Sequence, residues 1–278
     1  MAIIVDGNQI ASEILKDLRL RILNLGIKPR LAVFLIGENQ ASASYVRIKQ
    51  KKAAEVGIEV VLQQFEETAP EKDLIAEIRR QNEDPKTSGI IVQLPLTKSI
   101  KAEAVLNAID PKKDVDCLTE SNKTKLAKGG KPFFDPPAAA AILHILDYHK
   151  IDLTRGNALL VGSGDLVGKP LSALLLRRGV NFKMANRYTE DLEGLMGKAD
   201  IIITGVGKAG LVRGDFVKDQ VVVIDAGTAE SEEGEITGDV DFASVSKKAS
   251  LITPVPGGVG PVTVAMLLRN EVKAAESG

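Results

Sequence analysis

The stretch NALLVGSGDLVGKPLSALLLRRG, residues 157–179, decides the fold. Its apolar run predicts a strand, its second half predicts a helix, and Gly162, Gly164 and Gly168 stand at the junction. That is the setting of a dinucleotide-binding turn. Glycines let backbone amides approach a pyrophosphate, which then sits at the positive end of the helix. The spacing is GxGxxxG rather than GxGxxG, so a glycine-rich structural turn competes, and the flanking strand and helix favour the nucleotide reading. Gly162, Ser163 and Gly164 are the candidate phosphate contacts. Pro170 lies early in the helix, where its missing amide hydrogen is tolerated.

Working outward, apolar runs alternate with amphipathic stretches through most of the chain, the pattern of an α/β protein with a largely parallel sheet. Strands are predicted at 30–37, 58–65, 88–96, 157–163, 181–186, 200–207, 220–227 and 250–255. Helices are predicted at 9–25, closed by Gly26, at 41–56, closed by Gly57, at 137–150 and at 264–275. Residues 123–137, KTKLAKGGKPFFDPP, read as a domain boundary, and TPVPGGVGPVT (253–263) as a second irregular run. At 278 residues the chain has room for two domains.

The end of the strand after the glycine turn bears on the choice of cofactor. NAD enzymes usually place an acid there for the ribose hydroxyls. This chain has Met184-Ala185-Asn186-Arg187. An arginine can pair with a 2′-phosphate through two donors, which favours NADP over NAD, the alternative being a solvated arginine. The strand-end runs GVG (205–207) and DAGT (225–228) offer Gly205 and Thr228 for the nicotinamide half, though each alone could be an ordinary turn.

Composition narrows the chemistry. One Cys and two His exclude cysteine-based zinc sites, iron–sulfur clusters and a disulfide framework, and no metal site is expected. With 36 basic against 37 acidic residues, the balance argues against a nucleic-acid partner. No run of some 18 apolar residues suggests a membrane span, and the N-terminus lacks a secretory pattern, so a soluble cytoplasmic protein is expected. Proton chemistry then falls to Lys, Asp, Glu or Tyr. Tyr45 and Lys49, four apart on a predicted helix, share a face. A lysine desolvated in a cleft can act as acid or base. Spacing alone favours a solvated basic face with Arg47, Lys51 and Lys52.

Six strings in order, ASASYVRIK (41–49), GIIVQLPL (89–96), PKKDVD (111–116), GSGDLVGKP (162–170), GDVDF (238–242) and TPVPGGVGPVTV (253–264), closely resemble the bifunctional methylenetetrahydrofolate dehydrogenase/cyclohydrolase family. The resemblance implies an N-terminal α/β folate-binding domain (1–130, with the final helix 263–278 packing back on it), a C-terminal Rossmann domain for NADP (137–262), and an active-site cleft between them. It implies a cytoplasmic homodimer in one-carbon metabolism and purine biosynthesis. Such an enzyme oxidises 5,10-methylenetetrahydrofolate with NADP to the methenyl cation and hydrolyses that to 10-formyltetrahydrofolate. Retention of only one activity, or another two-domain NADP dehydrogenase, is the alternative.

By the same resemblance Lys49 is the catalytic lysine, Gln93 orients it, and Tyr45 packs on the folate aminobenzoyl ring. Asp116 holds the pterin, and Pro256, Gly257 and Gly258 form a loop over the pterin and nicotinamide. Three departures stand out. Cys117 replaces the family's usual glycine. Pro136-Pro137-Ala138-Ala139-Ala140-Ala141 replaces a proline-cysteine-threonine-proline motif followed by glycine. Asn186 stands where a histidine is common.

Overall fold

The structure, a computed structural model, describes residues 2–97, 99–230 and 236–277. Along the chain run β1 (Ile3–Ile4), α1 (Gly7–Leu25), β2 (Arg30–Ile36), α2 (Gln40–Val56), β3 (Glu59–Phe65), α3 (Glu71–Glu83), β4 (Gly89–Val92), α4 (Ala102–Leu106), α5 (Glu120–Ala127), α6 (Pro137–Tyr148) and β5 (Ala158–Val161). Then follow α7 (Gly168–Arg177), β6 (Phe182–Ala185), α8 (Leu192–Lys198), β7 (Ile201–Thr204), β8 (Val222–Asp225), β9 (Ala229–Glu230), β10 (Ile236–Thr237), α9 (Phe242–Val245), β11 (Leu251–Ile252) and α10 (Val259–Ser277).

Two compact units emerge: Ser12–Pro137 with Val264–Gly278, and Met1–Ala11 with Ala138–Thr263. The first is built on a parallel sheet ordered β3-β2-β4, extended by an isolated parallel bridge between Ile90 and Asp114. Central β2 is buried from Leu31 to Ile36, which explains its unbroken apolar sequence: both of its faces are covered. Phe34 and Ile36 pack with Leu74 and Ile78 of α3 and with Ile90 and Val92 of β4. Each such fully buried side chain contributes roughly 1.5–3 kcal/mol.

The second unit is a six-stranded parallel sheet ordered β1-β11-β8-β7-β5-β6. Successive strands step outward from β5 in opposite directions, to β6 on one side and to β7, β8 and β11 on the other. The strand order therefore reverses at β5 and β7, and their carboxyl ends form the switch point where doubly wound sheets bind ligands.

Several elements differ from the sequence expectation. Residues 1–11, expected in the first domain, belong to the six-stranded unit, because Ile3 and Ile4 pair with Leu251 and Ile252 and Gly7 N–H donates to Gly257 O at 2.9 Å. The expected strand 88–96 stops at Val92, with Gln93 N–H still donating to Phe34 O beyond it. The other predicted strands lose a residue or more at their ends. Helix α10 begins at Val259, inside the run read as irregular; Pro261 is accommodated because first-turn amides have no intrahelical partner.

Candidate active site

In the three-stranded unit, α2 is capped by Asn39, whose side chain accepts from Ser42 N at 2.9 Å, and closed by Gly57 in the left-handed conformation. Tyr45 and Lys49 lie one turn apart on it, both partly buried. Gln93 follows β4 directly, its N–H donating to Phe34 O at 2.9 Å, so its side chain emerges at the carboxyl edge of the sheet. Lys49 Nζ donates to Gln93 Oε1 at 2.9 Å, and Gln93 Nε2 donates to Leu94 O at 2.7 Å. The amide is thereby held with its oxygen toward the lysine. This is no free basic face: burial pushes the Lys49 ammonium below the usual lysine range, opposed by the negative charge of Asp116.

Asp116 sits just past the bridge made by Asp114, on the same sheet edge. The two acids of the DVD string divide the work. Asp114 is fully committed to the fold, accepting from Leu118 N at 3.0 Å, Thr119 N at 2.8 Å, Thr119 Oγ1 at 2.7 Å and Asn122 Nδ2 at 2.8 Å. Asp116 accepts no hydrogen bond from the described residues. Burial raises its carboxyl above the usual range, with Lys49 pulling the other way. A carboxylate with both oxygens uncommitted suits a ligand that brings paired N–H donors.

Cys117 is buried at φ 60°, so the turn after Asp116 is left-handed and a cysteine occupies a glycine-type conformation. Burial pushes its thiol far above the ordinary range, leaving it unreactive. The Pro/Ala run forms the start of α6, with Ala139 and Ala141 fully buried, so the small residues serve packing there.

In the six-stranded unit the glycine turn has the shape a pyrophosphate needs. Gly162 takes φ +108°, and a Cβ on Gly168 would run into Gly162 O and come within 2.8 Å of Ser163 Cα. A Cβ on Gly164 would meet nothing within 4 Å, which leaves room for a ligand. No side chain caps the N-terminus of α7. An uncapped helix start behind a glycine cradle fits a dinucleotide phosphate. Arg187 is exposed beyond the end of β6, its guanidinium 4.8 Å from the Tyr188 ring and donating to Tyr188 Oη at 2.6 Å. Gly205 follows β7, and Thr228 is exposed after β8. Pro256 follows a cis bond, and Gly257 takes φ +105°.

Two site features escaped the sequence reading. Gly7 packs so closely beneath the 257–258 backbone that a Cβ there would collide with Gly258 O; its only signal was an Asp-Gly pair. The other is the buried carboxylate pair Asp225 and Asp239, the first within a string that could be an ordinary turn and the second within one of the strings that carry the resemblance, with no role given to either acid. Among the described residues no helix is long and apolar enough to cross a membrane.

A doubly wound unit with a nucleotide turn, joined in one chain to an α/β unit bearing a desolvated lysine, defines a dinucleotide-dependent enzyme that also does proton chemistry. Comparison with known proteins makes this specific. Residues 5–116 match the tetrahydrofolate dehydrogenase/cyclohydrolase catalytic domain, and 136–278 match the NAD(P)-binding domain of the same family. The chain is 43% identical over 277 residues to the bifunctional protein FolD of Nautilia profundicola, covering 99% of this chain and 97% of the relative. The crystal structure of the bifunctional FolD enzyme from Campylobacter jejuni superposes with a TM-score of 0.95 at 38% identity, covering 100% of this chain and 99% of that one. A Trypanosoma brucei structure complexed with NADP cofactor and inhibitor gives 0.93 at 33%, covering 99% and 98%. The chain belongs to the tetrahydrofolate dehydrogenase/cyclohydrolase family, with both activities in one-carbon folate metabolism.

Proposed function

We propose that this enzyme oxidises 5,10-methylenetetrahydrofolate to the 5,10-methenyl cation with NADP and hydrolyses the cation to 10-formyltetrahydrofolate, using Lys49, Gln93, Tyr45 and Asp116 on the folate. The Lys49–Gln93 hydrogen bond, with Asp116 close enough for its charge to act on the lysine, carries this reading. NADP, held by the residues named below, would supply the hydride acceptor for the bridging methylene. The chain's own groups then manage water. Asp116 anchors the pterin through its free oxygens, and Tyr45 lies against the aminobenzoyl ring, where an aromatic suits a flat partner. Lys49, its ammonium weakened by burial, helps a water add to the methenyl carbon and moves the proton released as one ring C–N bond opens. Gln93 keeps the Lys49 nitrogen in place.

On the cofactor, Gly162, Ser163 and Gly164 hold the pyrophosphate, Arg187 pairs with the 2′-phosphate, Gly205 and Thr228 line the nicotinamide half, and the Pro256–Gly257–Gly258 loop closes over both the pterin and the nicotinamide. A cytoplasmic homodimer serving purine biosynthesis, as family resemblance implies, completes the reading. The direct test follows cofactor reduction with methylenetetrahydrofolate and NADP or NAD. Faster turnover with NADP is expected; preference for NAD would sink the role given to Arg187. Sedimentation tests the dimer.

A further inference from the structure

The strings DAG (225–227) and GDV (238–240) interlock at the carboxyl edge of the six-stranded sheet. A Cβ on Gly227 would strike the Asp239 carboxylate, and one on Gly238 would strike that of Asp225, so each acid lies over the other string's glycine. Both side chains are buried, and both are committed. Asp225 accepts from Gly227 N at 2.8 Å and Val240 N at 2.9 Å, while its own N–H donates to Thr253 Oγ1 at 2.7 Å. Asp239 accepts from Thr204 Oγ1 at 2.6 Å and from three consecutive amides, Val206 at 2.7 Å, Gly207 at 2.8 Å and Lys208 at 2.7 Å.

Three successive N–H groups converging on one anion form a nest of the kind that elsewhere binds phosphate or other anions. Here the anion is part of the chain. The network Thr204–Asp239–Val240–Asp225–Thr253 thus ties together the turn after β7, the turn after β8, the return from the β9–β10 hairpin, and the entry to the loop bearing Pro256. Those segments carry Gly205, Thr228 and Pro256.

We propose that Asp239 is a positioning residue for the cofactor: as a built-in anion filling the 206–208 nest, it sets the path of the nicotinamide-side loop and aligns it with the Thr228 and Pro256 segments through Asp225. The proposal rests on the assignment of Gly205, Thr228 and Pro256 to the cofactor. A carboxylate is needed, since an amide offers one acceptor oxygen and turns an NH₂ toward backbone donors.

The test is Asp239→Asn in the full-length enzyme, with the two activities separated. The KM for NADP should rise about tenfold or more, given a disrupted charge-assisted network, while the KM for methylenetetrahydrofolate, which meets only the Pro256 loop of this network, rises by no more than about threefold. Hydrolysis of the methenyl compound without NADP draws on Lys49, Gln93, Tyr45 and Asp116 of the other unit and on the Pro256 loop only where it covers the pterin; it should fall by no more than about threefold and report that the variant is folded. An unchanged NADP KM in such an enzyme would overturn the proposal, as would a parallel loss of both activities in a protein that remains folded. Should Asp239→Asn not fold, Thr204→Val removes one of the four bonds and keeps the shape; a rise of roughly threefold in NADP KM is expected, and no rise overturns the proposal. Calorimetric titration of the wild-type enzyme separates the two levels, because failure to bind NADP there would remove the cofactor reading itself.

Discussion

The ammonium of Lys49 is held 2.9 Å from Oε1 of Gln93, whose own amide is pinned by the carbonyl of Leu94 at 2.7 Å. The lysine is thus fixed by an uncharged acceptor and biased by a nearby acid, an arrangement that leaves its proton exchangeable. A direct ion pair would hold the proton more firmly.

For the hydrolytic step, Lys49→Met should lower methenyl hydrolysis by about 10²-fold or more, the range of a lost general acid–base group. Burial lowers the lysine's pKa and the Asp116 charge raises it, so the neutral amine forms below the ordinary lysine range. Asp116→Asn should shift the corresponding limb of the pH profile to lower pH still. A limb that stays put would show that the lysine does not titrate in that step.

Cofactor choice is predicted to hang on Arg187. Arg187→Ala should weaken NADP by roughly tenfold to a hundredfold, as for loss of a hydrogen-bonded charge partner, and leave NAD turnover nearly unchanged. Steady-state kinetics with both cofactors decide it; equal losses would assign the residue to general folding.

A third prediction concerns Glu271 on α10. It is fully buried, and a Cβ on Gly89 would collide with its carboxylate. Burial pushes its pKa from 4.5 up to about 8, against smaller opposing effects of Ser88 and Lys113. A raised carboxyl pKa means the native state holds a proton that the unfolded chain gives up. Its stabilising contribution is complete below about pH 4.5 and is lost as pH rises through about 8. Asp225, raised to about 6, acts with the same sign in a lower window. Glu271→Gln should therefore gain on wild type by up to ~1.4 kcal/mol per pH unit across that window. Urea unfolding at pH 5, 6, 7 and 8 measures it; parallel curves would refute it.

Cys117 supplies the fourth. At φ 60° a glycine is relieved of about 1 kcal/mol that any L side chain incurs. Cys117→Gly should therefore be more stable than Cys117→Ala by roughly that amount, the reverse of the order in a helix. Thermal melts of the pair suffice, and an alanine advantage would contradict the backbone assignment.

Much of the fold was legible because its signals are local. Buried β2 and β5 are runs of apolar residues, α2 ends on a glycine, and the nucleotide turn lies between a strand and a helix. What was hidden depends on distant partners. β1 is two exposed isoleucines whose only strand signal is Leu251–Ile252, far along the chain. The start of α10 was masked by Gly260 and Pro261, which read as breakers anywhere but a first turn. At the site, spacing alone left Lys49 one basic residue among several; only the resemblance, not any local pattern, paired it with Gln93. Asp225 and Asp239 carried no signal of a role because most of the groups that donate to them lie on other segments. The resemblance singled out Asp116 for the ligand; that Asp114, Asp225 and Asp239 are spent on backbone amides was not readable from residue types.

The exchange of chain ends bears on how this protein is made. The six-stranded unit needs both its first eleven residues and the strand at 251–252, and the three-stranded unit needs the helix that ends the described chain. On a ribosome, residues 12–137 emerge before α10, so the buried neighbours of Glu271 stay open to water until that helix has been made. Cutting the gene at 137 would leave each fragment without a piece of its own sheet or core. The two units are thereby coupled in biosynthesis: neither is completed without a stretch of chain that lies beyond the other.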